Sequence, residues 1–308
     1  MRDGFGDYHP LIGMSYFVFM LGVSMFVTHP LCQLLSLCGA VSYLSCLRGL
    51  KFMVRYGVML LPAIAITALI NPAFNHRGMT ILTYLPNGNP LTLESMLYGV
   101  SAAVMLVNTL LWFACFSQVM TADKLMMLLG RLIPALSLLL TMALRMVPRL
   151  VKQLQKMILV QKGLGRDIKQ GSIWQRGRLC ARLFSAWVTW ALENAVETAD
   201  AMKSRGYGLG GRTAFAPFRW QKRDQLGWRW LIGSAFMVIY SAKQGRFYFK
   251  FYPVLAGGVL DATLVLGLAG LALLAFWPLF FNLWEAYKWK HLQSSISPSP
   301  ILEKRRPR

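Results

Sequence analysis

Arg205 stands between Ser204 and Gly206 in the stretch 193–213, ENAVETADAMKSRGYGLGGRT, where a guanidinium could make a paired, charge-assisted hydrogen bond to a carboxylate. The residues before it must deliver it to an accessible place. Ala191, Ala195, Ala199 and Met202 recur at spacings of three and four and share one face of a helix, while Glu193, Glu197 and Asp200 recur on another. Gly206, Gly208, Gly210 and Gly211 then oppose its continuation, because glycine is poor in helices and readily takes the positive φ of a helix end. The pattern predicts an amphipathic helix over about 182–204 whose tip points Arg205 outward. A second stop, Gly163-Leu164-Gly165 followed by Arg166, closes a helix predicted over about 148–162. There Leu150, Leu154, Met157, Ile158 and Val160 gather on one side and Arg149, Lys152 and Lys156 on another. A polar linker over 166–178 would join the two helices. The basic stripe and the acidic stripe Glu193/Glu197/Asp200 have similar spacing, so the helices could cross with these faces together; alternatively both stripes face solvent or lipid headgroups.

Other chemistry is poorly supplied. The chain has no G-x-x-x-x-G-K-[ST] sequence and no Gly-Lys dipeptide, hence no phosphate-cradling loop of the Walker type, so ATP would be hydrolysed elsewhere. The four histidines, His9, His29, His76 and His291, are scattered with no carboxylate at ligand spacing, and no metal site or other cofactor is expected. Cys32, Cys38, Cys46, Cys115 and Cys180 contain no C-x-x-C pair, and all but Cys180 fall in apolar runs, where they read as small buried hydrophobes. No nucleophile–base arrangement is evident, so no catalytic residue is expected.

The elements that must carry the two tips belong to a membrane protein. Of 308 residues 56% are hydrophobic, the mean hydropathy is +0.45, and apolar runs fall at about 11–27, 31–47, 54–70, 95–116, 227–242 and 253–281. The first run lacks a small-residue cleavage pattern after it and is read as a retained span. The expected fold is an all-α integral membrane protein of about five to six transmembrane helices plus two cytoplasmic amphipathic helices. The net charge of +21 does not point to nucleic acid, because the basic residues flank apolar runs and so mark the cytoplasmic side. Between positions 145 and 229 there are 17 Lys and Arg against 5 Asp and Glu, which makes this the charge centre.

Arg48, Lys51 and Arg55 in one loop, and the basic tail with Lys288, Lys290, Lys304, Arg305, Arg306 and Arg308, place both termini inside. Lys243, Arg246 and Lys250 then fall outside, so either the fifth run is not a full span or this loop is an exception. The organisation expected is N-terminal transmembrane helices over 1–120 with an external hairpin loop at 71–95, a cytoplasmic region over 121–226, C-terminal transmembrane helices over 227–284, and a tail over 285–308. The hairpin is signalled by Pro86-Asn87-Gly88-Asn89-Pro90 between apolar runs. Pro134 and Pro148 are expected to break or kink the run 125–147 into short pieces.

With these residues in view, the chain resembles the transmembrane T component of energy-coupling factor (ECF) transporters, a family often called EcfT or CbiQ-like. The resemblance is carried by THPL at 28–31, NPAFNHRG at 71–78, LESMLYG at 93–99, LRMVPRL at 144–150 and ADAMKSRGYGLGGRT at 199–213, the last two being the specific blocks. It implies a bacterial plasma-membrane protein whose coupling helices end in arginine-containing motifs seated in grooves of two ABC-type ATPases. Beside them would stand a separate membrane S component that holds a vitamin, a vitamin precursor or a transition-metal ion. Ser204-Arg205-Gly206 matches the second docking motif. In the first, Leu164 replaces the central arginine of the usual Ala-Arg-Gly, so either Arg166 substitutes or one ATPase is gripped by apolar contact. The resemblance also implies that Arg145, Pro148, Arg149, Glu193, Glu197 and Asp200 support the helices.

Two rivals belong to other classes. An integral-membrane enzyme acting on a phosphorylated or lipid substrate needs a catalytic group that the charge centre lacks. A self-sufficient secondary carrier is expected to show ionisable residues within spans and repeated halves, and Asp261 is the only acidic candidate. Met120, Met126, Met127, Met142, Met146 and Met157 could form an adaptable surface for exchanging partners, or simply fill the membrane core.

Overall fold

The computed structural model describes residues 4–75, 78–84, 90–166, 172–207, 220–252 and 261–295. The chain folds into two compact units, one made of residues 1–121 and 218–308 and the other of residues 122–217.

The first unit holds α1 (Pro10–Phe26), α2 (Pro30–Arg48), α3 (Leu50–Phe74), a hairpin of β1 (Ile81–Tyr84) and β2 (Pro90–Thr92), and α4 (Leu93–Val119). In the second unit are α5 (Ala122–Leu132), α6 (Pro134–Gly163) and α7 (Ile173–Ser204), after which α8 (Lys222–Lys243) and α9 (Ala262–Ser295) complete the first. This is an all-α multi-pass membrane protein. Among the described residues four helices, α2, α3, α4 and α9, are long and apolar enough to cross a bilayer, and α1 is apolar but only 17 residues long. The fifth apolar run forms α8, but it is not among these four. Lys222, Arg223, Asp224, Arg229 and Lys243 punctuate it, and polar Ser234 and Ser241 are buried.

Proline and histidine place the first helix starts. Pro10 and Pro30 open α1 and α2, where a missing N–H costs nothing, and Nδ1 of His9 accepts the Leu11 N–H at 3.3 Å. Positive φ at Gly49 (83°) then allows α2 to turn directly into α3.

The core of the first unit is aromatic. Phe5, Tyr16, Phe17, Tyr43 and Trp112 are essentially inaccessible, and the Phe5 ring lies 5.2–6.3 Å from Tyr16, Phe17, Tyr43 and Trp277 in edge or tilted contacts. Polar ends of Tyr16 and Trp112 are satisfied internally, as hydrocarbon demands. Tyr16 OH donates to the Leu274 carbonyl (3.0 Å), Trp112 Nε1 to Ser36 Oγ (2.9 Å), and Ser36 Oγ to Asn108 Oδ1 (3.2 Å). Small residues set the helix separations, as is usual where hydrophobic force between helices is absent. A Cβ at Gly39 of α2 would lie 2.7 Å from the Ala275 Cβ of α9, and one at Gly99 of α4 would lie 2.4 Å from the Ala68 carbonyl oxygen of α3.

Buried Asp224 ties the N-terminal segment to the start of α8. Its Oδ1 accepts the His9 N–H (3.2 Å) and its Oδ2 the Gln221 N–H (2.8 Å). Asp224→Ala leaves both donors without this acceptor and is expected to lower stability by about 1–3 kcal/mol, read as an earlier thermal unfolding transition of the purified chain in detergent.

Several expectations are corrected. The break expected at Pro134 occurs, since α5 ends at Leu132 and Pro134 opens α6, but α6 then runs through Pro148 without stopping. One proline removes one hydrogen bond, and the surrounding Leu, Met, Ala, Arg, Lys and Gln are good helix formers, so the 30-residue helix persists. The helix expected at 148–162 therefore starts at Pro134, and the one expected from 182 starts at Ile173, leaving a shorter linker of which 167–171 lie outside the described residues. Cys32 and Cys115 are buried, but Cys38 is exposed and Cys46 half-buried, because an apolar run on a membrane helix has an outward face as well as an inward one. Asp261 is not within a span. It precedes α9 and pairs with Arg246 at 2.6 Å, which supplies a local partner for one cation of the 243–250 group. The hairpin strands pair antiparallel, Thr83 with Leu91 and Tyr84 with Pro90, and the turn at 85–89 lies outside the described residues. So do the basic tail beyond 295 and Gly208, Gly210 and Gly211.

Candidate functional site

The second unit presents two helix ends built alike. α7 ends at Ser204, whose Oγ donates to the Ala201 carbonyl (2.9 Å); Arg205 follows at the C-cap with φ −84°, and Gly206 takes φ 68°. The Gly206 N–H bonds the Lys203 carbonyl (2.9 Å) and the Tyr207 N–H reaches back to Met202 (3.0 Å). α6 ends at Gly163, with Leu164 at the C-cap (φ −81°) and Gly165 at φ 75°. There the Gly165 N–H bonds the Lys162 carbonyl (3.1 Å) and the Arg166 N–H reaches back to Gln161 (3.0 Å). Both contain the long backward bond of the Schellman stop, which satisfies carbonyls that a helix end otherwise leaves open.

The correspondence assigns slots. Leu164 takes the place of Arg205, Gly165 that of Gly206, and Arg166 that of Tyr207. Leu164 is 66% exposed, and Arg205 is exposed as well. One tip thus offers an apolar side chain where the other offers a guanidinium. Arg166 is two residues past the C-cap Leu164 and cannot occupy that slot.

Behind the tips, α6 and α7 meet through two tryptophans. Trp187 Nε1 donates to the Leu150 carbonyl (3.0 Å), and the Arg149 guanidinium lies 5.9 Å from the centre of the Trp190 ring. Between the helices is a cleft of about 1040 Å³. Arg145, Arg149, Lys152 and Lys156 line it from α6, with Glu197 from α7 and Arg205 just beyond it. Met142, Met146 and Pro148 contribute apolar wall.

The arrangement corrects two readings of α7. The face shared by Ala191, Ala195, Ala199 and Met202 divides, since Ala195 and Ala199 are exposed whereas Met202 lines the cleft. Alanine buries little surface, and the side directed at α6 is set by Trp190, Asn194, Thr198 and Met202. The tryptophans were the missed signal, because positions 187, 190, 194, 198, 201 and 205 continue the helical spacing back from Arg205. Nor do the charged stripes form ion pairs among the described residues. Glu197 alone of the three acids lines the cleft, while Glu193 and Asp200 are exposed elsewhere on α7. The expected methionine surface divides: Met142 and Met146 line the cleft, whereas Met120 is buried in the first unit.

No family model matches the chain. Among curated proteins it is 32% identical over 92 residues to the energy-coupling factor transporter transmembrane protein EcfT of Bacillus selenitireducens, covering 30% of this chain and 34% of that one. It is 29% identical over 157 residues to the EcfT protein of Lactobacillus helveticus (46% of this chain, 54% of the relative) and 35% identical over 104 residues to that of Staphylococcus aureus (33% and 39%). The similarity thus spans about a third to a half of the length of these relatives.

Proposed function

We propose that this chain, a relative of the EcfT transmembrane proteins of energy-coupling factor transporters, is the coupling subunit of an ECF-type importer. It would carry the motion of two ABC-type ATPases to a separate substrate-binding membrane subunit. The observation that carries the reading is the pair of like-built stops ending α6 and α7, each presenting one exposed side chain, Leu164 or Arg205, at a C-cap. A glycine-terminated tip is a suitable docking element because it ends the helix at a defined residue and turns that side chain toward a groove.

In this mechanism Arg205 meets an acidic residue of one ATPase, and Leu164 makes an apolar contact with the other. Ser204, Gly206, Gly163, Gly165 and Arg166 shape the two tips. Closure of the ATPase pair on ATP displaces them, and because α6 is one unbroken helix from Pro134 to Gly163, displacement of its tip moves the whole rod. Pro148 and Arg145 lie along that rod, and Arg149 joins it to α7 at Trp190. The transported vitamin, vitamin precursor or metal ion would be held by the S component, so this chain needs neither catalytic residue nor cofactor.

The test is co-expression of the full chain with its host's ABC-type ATPases and purification in detergent. Retention of the ATPases by the folded chain is expected. A folded, membrane-inserted chain that retains none, or one that transports in vesicles without ATPases, would overturn the proposal.

A further inference from the structure

The α6/α7 cleft has a charge problem that docking at the tips does not address. Arg145, Arg149, Lys152, Lys156 and Arg205 line it against the single carboxylate of Glu197. Among the described residues no carboxylate lies within ion-pair distance of the four cations of α6. Like charges within one Debye length, about 8 Å, repel, and a concave surface lined by one sign of charge raises the local concentration of counter-ions. Arg149 is held beside the Trp190 ring, which orients its planar fork, and planar guanidinium with neighbouring ammonium is the donor set that phosphate takes. The cleft walls also carry Met142, Met146 and Trp190, which suit hydrocarbon next to a headgroup.

The surroundings favour a lipid over a soluble anion. On α6 the residues Leu139, Leu144 and Val147 are exposed, and on α7 Leu192 and Val196 are exposed, in a chain that belongs to a membrane. Exposed apolar side chains on the faces turned away from a basic stripe are the composition of amphipathic helices that lie against anionic lipid. We propose that the cleft between α6 and α7 binds the phosphate of an anionic phospholipid, with Arg149, Lys152 and Lys156 as its principal donors. The bound lipid neutralises the facing cations and braces the two helices against each other.

The full chain, purified in mixed micelles containing phosphatidylglycerol or phosphatidylcholine, can be assayed for retained lipid by native mass spectrometry. Phosphatidylglycerol is expected to be retained in preference to phosphatidylcholine. The triple variant Arg149→Gln/Lys152→Gln/Lys156→Gln should bind it about a hundredfold more weakly, at roughly fivefold per basic residue near a membrane surface. Lys304→Gln/Arg305→Gln/Arg306→Gln removes the same charge from the tail and should change nothing, and Lys152→Arg/Lys156→Arg should preserve binding. Circular dichroism and size-exclusion profiles report whether each variant stays folded. Should the triple variant unfold, Lys152→Gln/Lys156→Gln serves instead, with about a twenty-fivefold loss expected. Equal retention of the two lipids, or equal losses in cleft and tail variants, would overturn the proposal. So would full displacement by inorganic phosphate, the signature of a soluble-anion site, or by an acidic peptide, the signature of a protein partner.

Discussion

Arg205→Glu is expected to weaken retention of the partner ATPase thirtyfold or more while leaving the chain folded and inserted. The wild-type guanidinium stands at a C-cap outside the helix hydrogen-bond ladder, and its replacement removes no core contact. In the proposed complex it is desolvated against a carboxylate, and truncating one partner of such a pair commonly costs about 2–5 kcal/mol, of which thirtyfold is the lower end. Reversal adds repulsion to that loss. Arg205→Lys keeps the charge but not the fork and should fall between the two. The contrast with the first tip is informative: Leu164→Ala is expected to cost less, because a small apolar contact contributes less than a paired charge. Co-purification with the ATPases at equal expression checks all three. Full retention by Arg205→Glu would remove the arginine from the docking contact.

The second large effect is expected inside the membrane unit. Gly99→Leu should destabilise the chain enough to lower its unfolding temperature by on the order of 5–10 °C or abolish a monodisperse preparation. The first added carbon alone would sit 2.4 Å from the Ala68 carbonyl oxygen and 3.2 Å from Pro72 Cδ, and backbone cannot swing aside as a side chain can. α3 and α4 would have to separate along the seam where Asn71 Nδ2 donates to the Ser95 carbonyl (3.0 Å) and to Tyr252 OH (3.1 Å). Gly57→Leu is the control. Nothing lies within 4 Å of a Cβ at Gly57 on α3, so the same substitution there should be neutral or slightly stabilising through better helix propensity. Thermal unfolding in detergent separates the two, and equal behaviour would mean that the α3–α4 approach is not what Gly99 protects.

Local order along the chain determined a good deal of this protein. Long apolar runs demand helices in hydrocarbon, so the all-α membrane class follows from composition and run length. Glycine after a helical period demands a stop, so the end of α7 at Ser204 and the positive φ of Gly206 could be read from residue types alone. The same holds for the end of α6 at Gly163, and for the two paired strands that flank positions 85–89.

What only the tertiary structure decided depends on neighbours that sequence spacing does not name. Whether a proline ends a helix depends on the balance between one lost hydrogen bond and the preferences of its flanks, and α6 shows Pro148 losing that contest. Which face of α7 turns toward α6 depended on the bulk of Trp187 and Trp190, not on the neat periodicity of its alanines. Similar spacing of opposite charges created an expectation of pairing, yet ion pairs form only where side-chain ends converge, and the cleft gathers cations instead. Asp261, placed by hydropathy within a span, belongs to the residues just before α9, because Arg246 is within reach to hold it there. Periodicity constrains a residue and its own helix; the partner across the gap is set by packing, which the chain encodes only through all its contacts together.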